Sequence, residues 1–264
     1  MSIYMDSVIW IYCVTLAAFT GAVLGSFLNC AAMRIVRGEP FTHGRSHCPA
    51  CGHTLSPLEL IPVISWLIQR GRCRSCGQRI SIRYPLTELS FALLTVLCLL
   101  RFDLTLLFLR NELFLACLFL LTLTDLEAMI IPDGCHIFAV VVWAVFAPWV
   151  CNGWHDIAFS LLAAVSYGGG LLAISLAMDR ILGRDSMGGG DIKLFAVIGL
   201  YLGMVGTLFT LLLACVVGLL FNVLYQRLRR GDRAFPFGPS IAVAAAFMLL
   251  YGDPIVQWYL RLLK

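Results

Sequence analysis

The fold is decided by a long apolar stretch, residues 189–226, whose sequence is GGDIKLFAVIGLYLGMVGTLFTLLLACVVGLLFNVLYQ. Charged side chains occur in it only at Asp191 and Lys193, close to its beginning. A helix needs about 20 apolar residues to cross the hydrocarbon core of a bilayer. The stretch is long enough for two such helices. We therefore predict spans at 189–204 and 205–226, divided near Gly203–Gly206.

The same criterion identifies six further spans, at residues 7–33, 86–101, 111–128, 133–151, 156–180 and 237–252. The composition of the whole chain agrees, because 60% of its 264 residues are hydrophobic and 13% are charged. Soluble domains are about 45–50% apolar and about 25% charged. A single soluble domain, a disordered chain, a coiled coil and a disulfide-stapled toxin are thereby excluded. The predicted fold class is an all-α polytopic membrane protein with about eight transmembrane helices.

Basic side chains concentrate in alternate loops, namely residues 34–85, the loop after the fifth span and the loop after the seventh. Lys and Arg mark cytosolic loops. The chain is therefore predicted to cross the bacterial inner membrane with both termini outside the cytosol. The net charge of +4 is too small for a nucleic-acid-binding protein, which would carry a dense basic face. The expected environment is the lipid bilayer, with no nucleic acid as partner.

Two Cys-x-x-Cys pairs lie in the polar, Arg-rich loop between the first and second spans: Cys48, Cys51, Cys73 and Cys76. A glycine follows each pair, at Gly52 and Gly77, and glycine supplies the left-handed backbone that such turns tend to need. Four thiolates from two turns form the closed tetrahedron of a structural zinc site. We predict a small zinc-binding cytosolic domain over residues 34–85, which has little core of its own.

Two disulfides are the alternative for these cysteines. The arginines place the loop in the cytosol, where thiols stay reduced, and this argues against disulfides. Metal-free thiols are the remaining alternative.

Two acids lie at span ends. Asp125 ends the third predicted span and Asp191 begins the sixth, and the predicted topology brings both to the cytosolic edge of the membrane. Ionisable residues inside spans are costly and usually functional. Two carboxylates at one wet cavity can act as an acid and a base, which is the pair needed to hydrolyse a peptide bond with water.

Each acid also has a structural alternative. Asp191 could cap a helix N-terminus, where aspartate is favoured. Asp125 could pair with a basic side chain such as Lys193. Glu127 and Asp133 lie near the same edge and are interpreted as boundary or helix-start residues.

The residues before and after Asp191 suit the approach of a substrate. Gly188, Gly189 and Gly190 carry no side chains, so an extended substrate backbone could come close to Asp191. Together with Lys193, these glycines are predicted to lie near the substrate.

The chain resembles the prepilin leader peptidases of type IV pilus and type II secretion systems. The blocks that carry the resemblance run in the family's order: Gly25-Ser26-Phe27-Leu28-Asn29 with Arg34, the two Cys-x-x-Cys pairs, Asp125 with Pro132-Asp133, Gly188-Gly189-Gly190-Asp191-Ile192-Lys193, and Phe235-Pro236-Phe237-Gly238-Pro239. Gly-x-Gly-Asp alone is a weak motif, but the ordered set across eight spans is very specific.

The resemblance implies an aspartic peptidase that removes the basic leader of prepilins or pseudopilins, after a glycine and on the cytosolic face. Asp125 and Asp191 would be its catalytic pair. The four cysteines would hold zinc in a domain linked to N-methylation of the new N-terminus from S-adenosylmethionine, and no residue is assigned to this methyl donor. The predicted domains are a first span (1–33), the zinc-binding domain (34–85) and a membrane peptidase domain (86–264).

Two other classes of function fit an apolar chain with membrane acids. A polytopic transporter could use them as a proton or cation relay, although both acids are predicted at one edge of the membrane and no inverted repeat is visible. A non-enzymatic assembly subunit stapled by zinc would tolerate replacement of both aspartates. Exposed apolar surface could support a homodimer.

Overall fold

The computed structural model describes residues 7–40, 44–184, 186–228 and 235–262. This part of the chain is helical, with two isolated antiparallel bridges in the cysteine-rich loop and no longer strand pairing. The helices, in chain order, are α1 (Ser7–Val36), α2 (Ile64–Ile68), α3 (Arg83–Phe102), α4 (Leu106–Ala128), α5 (Asp133–Val150), α6 (Trp154–Leu182), α7 (Gly189–Leu228) and α8 (Gly238–Leu262). The all-α membrane fold predicted from hydropathy is confirmed.

Seven of the described helices are long and apolar enough to cross a membrane. About eight spans were predicted, because residues 189–226 were divided into two. The structure places both predicted spans in the single element α7, which has a non-helical backbone at Gly203 (φ 65°, ψ −170°). The break falls inside the predicted dividing stretch, Gly203–Gly206.

The direction of α7 reverses at Gly203. Gly190 packs against the side chain of Ile131, and so does the first residue of α8. Gly218 packs against Ser240, also at the beginning of α8. A straight helix would place Gly190 and Gly218 about 40 Å apart. Since both lie at the same end of α8, the two arms of α7 run in opposite directions.

The chain divides into two compact units after Asp103. In the first unit, α1 packs closely on α3 through Gly21 and Gly25, which form a Gly-x-x-x-Gly pattern. A methyl group on Gly25 would lie 2.9 Å from Cβ of Phe91 and 3.0 Å from the carbonyl oxygen of Thr87. Small residues at this spacing let two membrane helices approach backbone to backbone. The same unit holds the cysteine-rich loop.

In the second unit, α6 packs on the first arm of α7 through Gly199. A methyl group on Gly199 would lie 2.8 Å from the backbone nitrogen of Ala164 and 2.9 Å from the carbonyl carbon of Ala163. These atoms belong to helix backbones, which cannot move aside as a flexible side chain can. Most of the α6 surface is exposed, which suits a helix that faces lipid.

Replacing Gly199 with alanine is therefore expected to destabilise the second unit by about 1–3 kcal/mol, the usual cost of overpacking a tight contact. Gly169→Ala is the matched control, because no atom lies within 4 Å of the position that its methyl group would take. Thermal unfolding in detergent micelles measures both. Equal unfolding temperatures for the two variants would contradict the close contact between α6 and α7.

Candidate active site and metal centre

Asp125 lies in the last turn of α4, and its side chain is 5% exposed. Its Oδ2 accepts the backbone N–H of Gly238, the first residue of α8, at 2.9 Å. Met129 ends α4 in the left-handed conformation, and its N–H donates to the carbonyl oxygen of Asp125. The N-terminal end of a helix carries partial positive charge, so α8 offers a favourable environment for this carboxylate.

Asp191 lies in the first turn of α7. Its Oδ1 is buried and makes no hydrogen bond to any described residue. Ile131 packs against Gly190, the residue before Asp191. It also packs against Gly238, whose N–H is bonded to Asp125, so both acids lie next to neighbours of the same isoleucine. Buried polar atoms are nearly always hydrogen-bonded in folded proteins, so an unbonded carboxylate oxygen at a site is a candidate acceptor for a ligand or a reacting water. The structure thus brings the two predicted acids together.

The triple glycine before Asp191 lies in three different surroundings. A methyl group on Gly188 would lie 3.3 Å from Oδ2 of Asp191 itself, whereas one on Gly189 would meet no atom within 4 Å. A methyl group on Gly190 would lie 3.0 Å from Cβ of Ile131. Only Gly189 therefore faces open space, and the space beside Gly190 is filled by the protein's own isoleucine.

Lys193 forms an ion pair with Asp133, with Nζ 2.6 Å from Oδ1. The alternative in which Lys193 pairs with Asp125 is not what the structure shows. The ion pair joins the first turn of α7 to the first residue of α5. Nδ1 of the buried His136, one turn further along α5, lies 4.0 Å from the same carboxylate oxygen.

The four cysteine sulfurs form one cluster in the first unit. All four Sγ atoms lie within 4.8 Å of one another, and Sγ of Cys48 is 3.9 Å from Sγ of Cys76. A tetrahedral zinc ion with Zn–S bonds of about 2.3 Å requires sulfurs about 3.8 Å apart. The spacing of the donor atoms fits such an ion. No disulfide joins any of these cysteines.

The two Cys-x-x-Cys turns have the same hydrogen-bond pattern. Gly52 and Gly77 adopt positive φ angles of 71° and 72°, as predicted, and each donates its N–H to the carbonyl oxygen of the first cysteine of its pair. Backbone N–H groups of the second cysteine and of the residue before it lower the pKa of the first cysteine in each pair. The pKa of Cys48 is lowered to about 7, which favours the thiolate that a metal binds.

The sequence did not identify two residues that contact the acids or their neighbours. Gly238 was quoted only as part of a family block, and its N–H now proves to be bonded to Asp125. Ile131, which precedes the quoted Pro132-Asp133, was not among the candidate residues, and it packs against both Gly190 and Gly238. A glycine and an isoleucine carry no chemical signal of a site, so no pattern in one sequence could have indicated them.

Comparison with known proteins gives matches in both units. Residues 19–102 match the model of the bacterial peptidase A24 N-terminal domain, and residues 112–223 match the model of the type IV leader peptidase family. No solved structure matches the chain.

Several curated proteins named prepilin leader peptidase/N-methyltransferase are similar over most of their length. That of Bacillus subtilis (strain 168) is 36% identical, over 92% of this chain and 96% of its own. That of Aeromonas salmonicida (strain A449) is 35% identical, over 82% of this chain and 74% of its own. That of Pseudomonas putida is 33% identical, over 96% of this chain and 95% of its own. The family expected from the motifs is confirmed: the chain belongs to the type IV leader peptidase family.

Proposed function

We propose that this protein hydrolyses the leader peptide bond of prepilins or pseudopilins and then methylates the new N-terminus. The observation that carries the first activity is the pairing of Asp125 with Asp191. The two acids come from the end of α4 and the beginning of α7, and the chain belongs to a family of leader peptidases. The name of the relatives supports the second activity.

The proposed chemistry uses the carboxyl groups of Asp125 and Asp191 as an acid and a base at one site. One carboxylate takes a proton from water, and the water oxygen attacks the carbonyl carbon of the scissile bond. The other, protonated carboxyl group gives its proton to the amine nitrogen that leaves. The unbonded Oδ1 of Asp191 supplies an acceptor for the water or for the substrate. Gly188, Gly189, Gly190 and Lys193 stay predictions as residues near the substrate.

We place the active site at the cytosolic face of the bacterial inner membrane. A prepilin carries a basic leader before an apolar helix, so its scissile bond lies at the membrane interface. The basic loops of this multi-pass chain point to the cytosol by the positive-inside rule. The division into residues 1–33, 34–85 and 86–264, and the homodimer, also stay predictions.

The four cysteines would hold a zinc ion, which when bound would stabilise the fold of the cytosolic domain. Zinc fits because four thiolates at tetrahedral spacing are a typical structural zinc site. The methyl group would come from S-adenosylmethionine, and no residue of this chain is assigned to that cofactor.

The purified protein in detergent, mixed with a prepilin, tests the proposed function. Mass spectrometry is expected to show a shortened pilin whose N-terminus begins directly after the leader, with one added methyl group when S-adenosylmethionine is present. A transporter or a non-enzymatic assembly subunit would leave the prepilin intact, and that result would defeat the proposal.

Replacing Cys48 with serine is expected to lower bound zinc from about one ion per chain to near zero, because a site of three thiolates binds zinc far more weakly. Atomic absorption on protein purified without chelator measures this, and methyl transfer should fall with the zinc. Cys215→Ser, at an exposed position on α7, is the control and should keep its zinc. Near-zero zinc in the unmodified protein would contradict the assignment.

A further inference from the structure

A short apolar surface lies in the first unit, on α2, between the two Cys-x-x-Cys pairs. Ile64, Leu67 and Ile68 are all exposed, and the exposed fraction of Ile68 reaches 77%. Their spacing of i, i+3 and i+4 puts them on one side of the helix, which we call the apolar face. Exposed apolar side chains that cluster in this way mark a contact with another protein or with a membrane. The surroundings of α2 decide between these two partners.

Two hydrogen bonds fix the position of α2 along α3. The N–H of Val63, the residue before α2, donates to Oε2 of Glu88 at 2.7 Å. On α2 itself, Nε1 of Trp66 donates to the carbonyl oxygen of Ile80 at 3.2 Å. The two acceptors lie on either side of Arg83, where α3 begins. Because helical side chains lean toward the N-terminus, the carboxylate of Glu88 points back toward this end, and α2 lies beside the first turn of α3.

The length of α3 places this first turn at the membrane surface. The helix has 20 residues and is apolar enough to cross a bilayer. At 1.5 Å per residue it is about 30 Å long, which is about the thickness of the hydrocarbon core. Leu86 and Leu89, in its first two turns, are exposed, as suits side chains that face lipid. The apolar face therefore lies at the depth where lipid headgroups meet the acyl chains.

The charges beside the apolar face match an anionic lipid surface. No acidic residue occurs in the sequence between Glu59 and Glu88. Four exposed arginines follow α2 in this interval: Arg70, Arg72, Arg74 and Arg79. Basic side chains near a bilayer are attracted to its negatively charged headgroups. A two-fold contact between two copies of this chain would instead bring both sets of arginines together, which is unfavourable.

We propose that Ile64, Leu67 and Ile68 insert into the bilayer leaflet at which α3 begins, with the neighbouring arginines at the lipid phosphates. Amphipathic segments of this kind lie in the plane of the interface and bury their apolar face about 5–10 Å deep. The second Cys-x-x-Cys pair begins at Cys73, shortly after α2. The cysteine cluster is therefore held at the membrane surface by a second attachment, besides the helices α1 and α3.

Photocrosslinking of the full chain in nanodiscs of phosphatidylethanolamine and phosphatidylglycerol tests this placement. Three variants carry p-benzoylphenylalanine in place of Ile68, of the exposed Leu93 in the middle of α3, or of the exposed Gln78 beside the second cysteine pair. After irradiation, mass spectrometry of the intact protein gives the fraction of chains that carry a phospholipid. Position 68 is expected to give at least about fivefold more lipid adduct than position 78, because only the apolar face enters the interface. Its yield should approach that of position 93.

A probe in place of Leu67 should give the same result as one in place of Ile68, so a local disturbance by one probe does not decide the test. Lipid yields at both positions no higher than at position 78 would overturn the proposal. Probes that link to a second copy of the chain, or to an added prepilin, instead of to lipid would also overturn it, because the apolar face would then be a protein contact.

Discussion

Replacing either Asp125 or Asp191 with asparagine is expected to lower the rate of leader cleavage by about a thousandfold or more. Asparagine has nearly the same shape as aspartate, but its amide neither takes a proton from water nor gives one to the leaving amine. General acid–base catalysis by one positioned group contributes about 10²–10⁴ in rate. Each substitution removes one of the two roles, so neither remaining acid can complete the reaction alone.

These variants should keep their fold. The side-chain oxygen of an asparagine at position 125 can still accept the N–H of Gly238, so the link between α4 and α8 is preserved. Thermal unfolding in detergent checks this, and cleavage of a prepilin followed by electrophoresis gives the rate. Asp156→Asn, at the beginning of α6, is the control and should cleave normally. A normal rate in either site variant would refute the assignment of the catalytic pair.

The spans could be predicted because their signal is local. The stretch of residues 111–128, for example, is apolar enough to span on its own, whatever it packs against, so hydropathy finds it from composition alone. The ends are less well marked. The last span was predicted to end at residue 252, whereas α8 continues to Leu262 past Asp253 and Pro254. Helix α8 thus tolerates an acid and a proline that a hydropathy window treats as a boundary.

The reversal in α7 shows a second limit. Two helices usually need a loop of several residues between them, and the sequence around Gly203 contains none that is polar. One glycine with a positive φ angle is enough here, since glycine adopts that conformation without steric cost. Tyr167 on α6 donates its hydroxyl to the carbonyl oxygen of Met204 and so satisfies an acceptor next to the break.

The candidate active site could be predicted from the sequence only at residues whose side chains carry its chemistry. Asp125 and Asp191 were identifiable because a carboxyl group in a membrane span is costly and needs a reason. Their neighbours were not, because Gly238 lies far along the chain from Asp125 and is an ordinary helix-start glycine. Only the packing of α4 against α8 shows that its N–H reaches the acid.

Gly238→Ala is expected to lower kcat for leader cleavage by about a hundredfold without removing any acid. The methyl group would lie 2.7 Å from Oδ2 and 3.2 Å from Cγ of Asp125, so the carboxyl group must move. Misplacing a catalytic group by about 1 Å costs on the order of 10² in rate. The backbone φ of Gly238 is not in the left-handed region, so the alanine itself fits the helix start without strain.

The control for this substitution is Gly134→Ala, in the first turn of α5, where a methyl group would meet no atom within 4 Å. This variant should cleave prepilin at the normal rate. It therefore shows whether a lower kcat in Gly238→Ala comes from the displaced carboxyl group or from the addition of a methyl group to a helix start. Cleavage kinetics at saturating prepilin give kcat for both, and thermal unfolding shows whether Gly238→Ala remains folded. Undiminished kcat in Gly238→Ala would mean that Asp125 works equally well after moving. A loss of kcat in a folded protein would instead mean that catalysis by Asp125 depends on the position that α8 imposes on its carboxyl group.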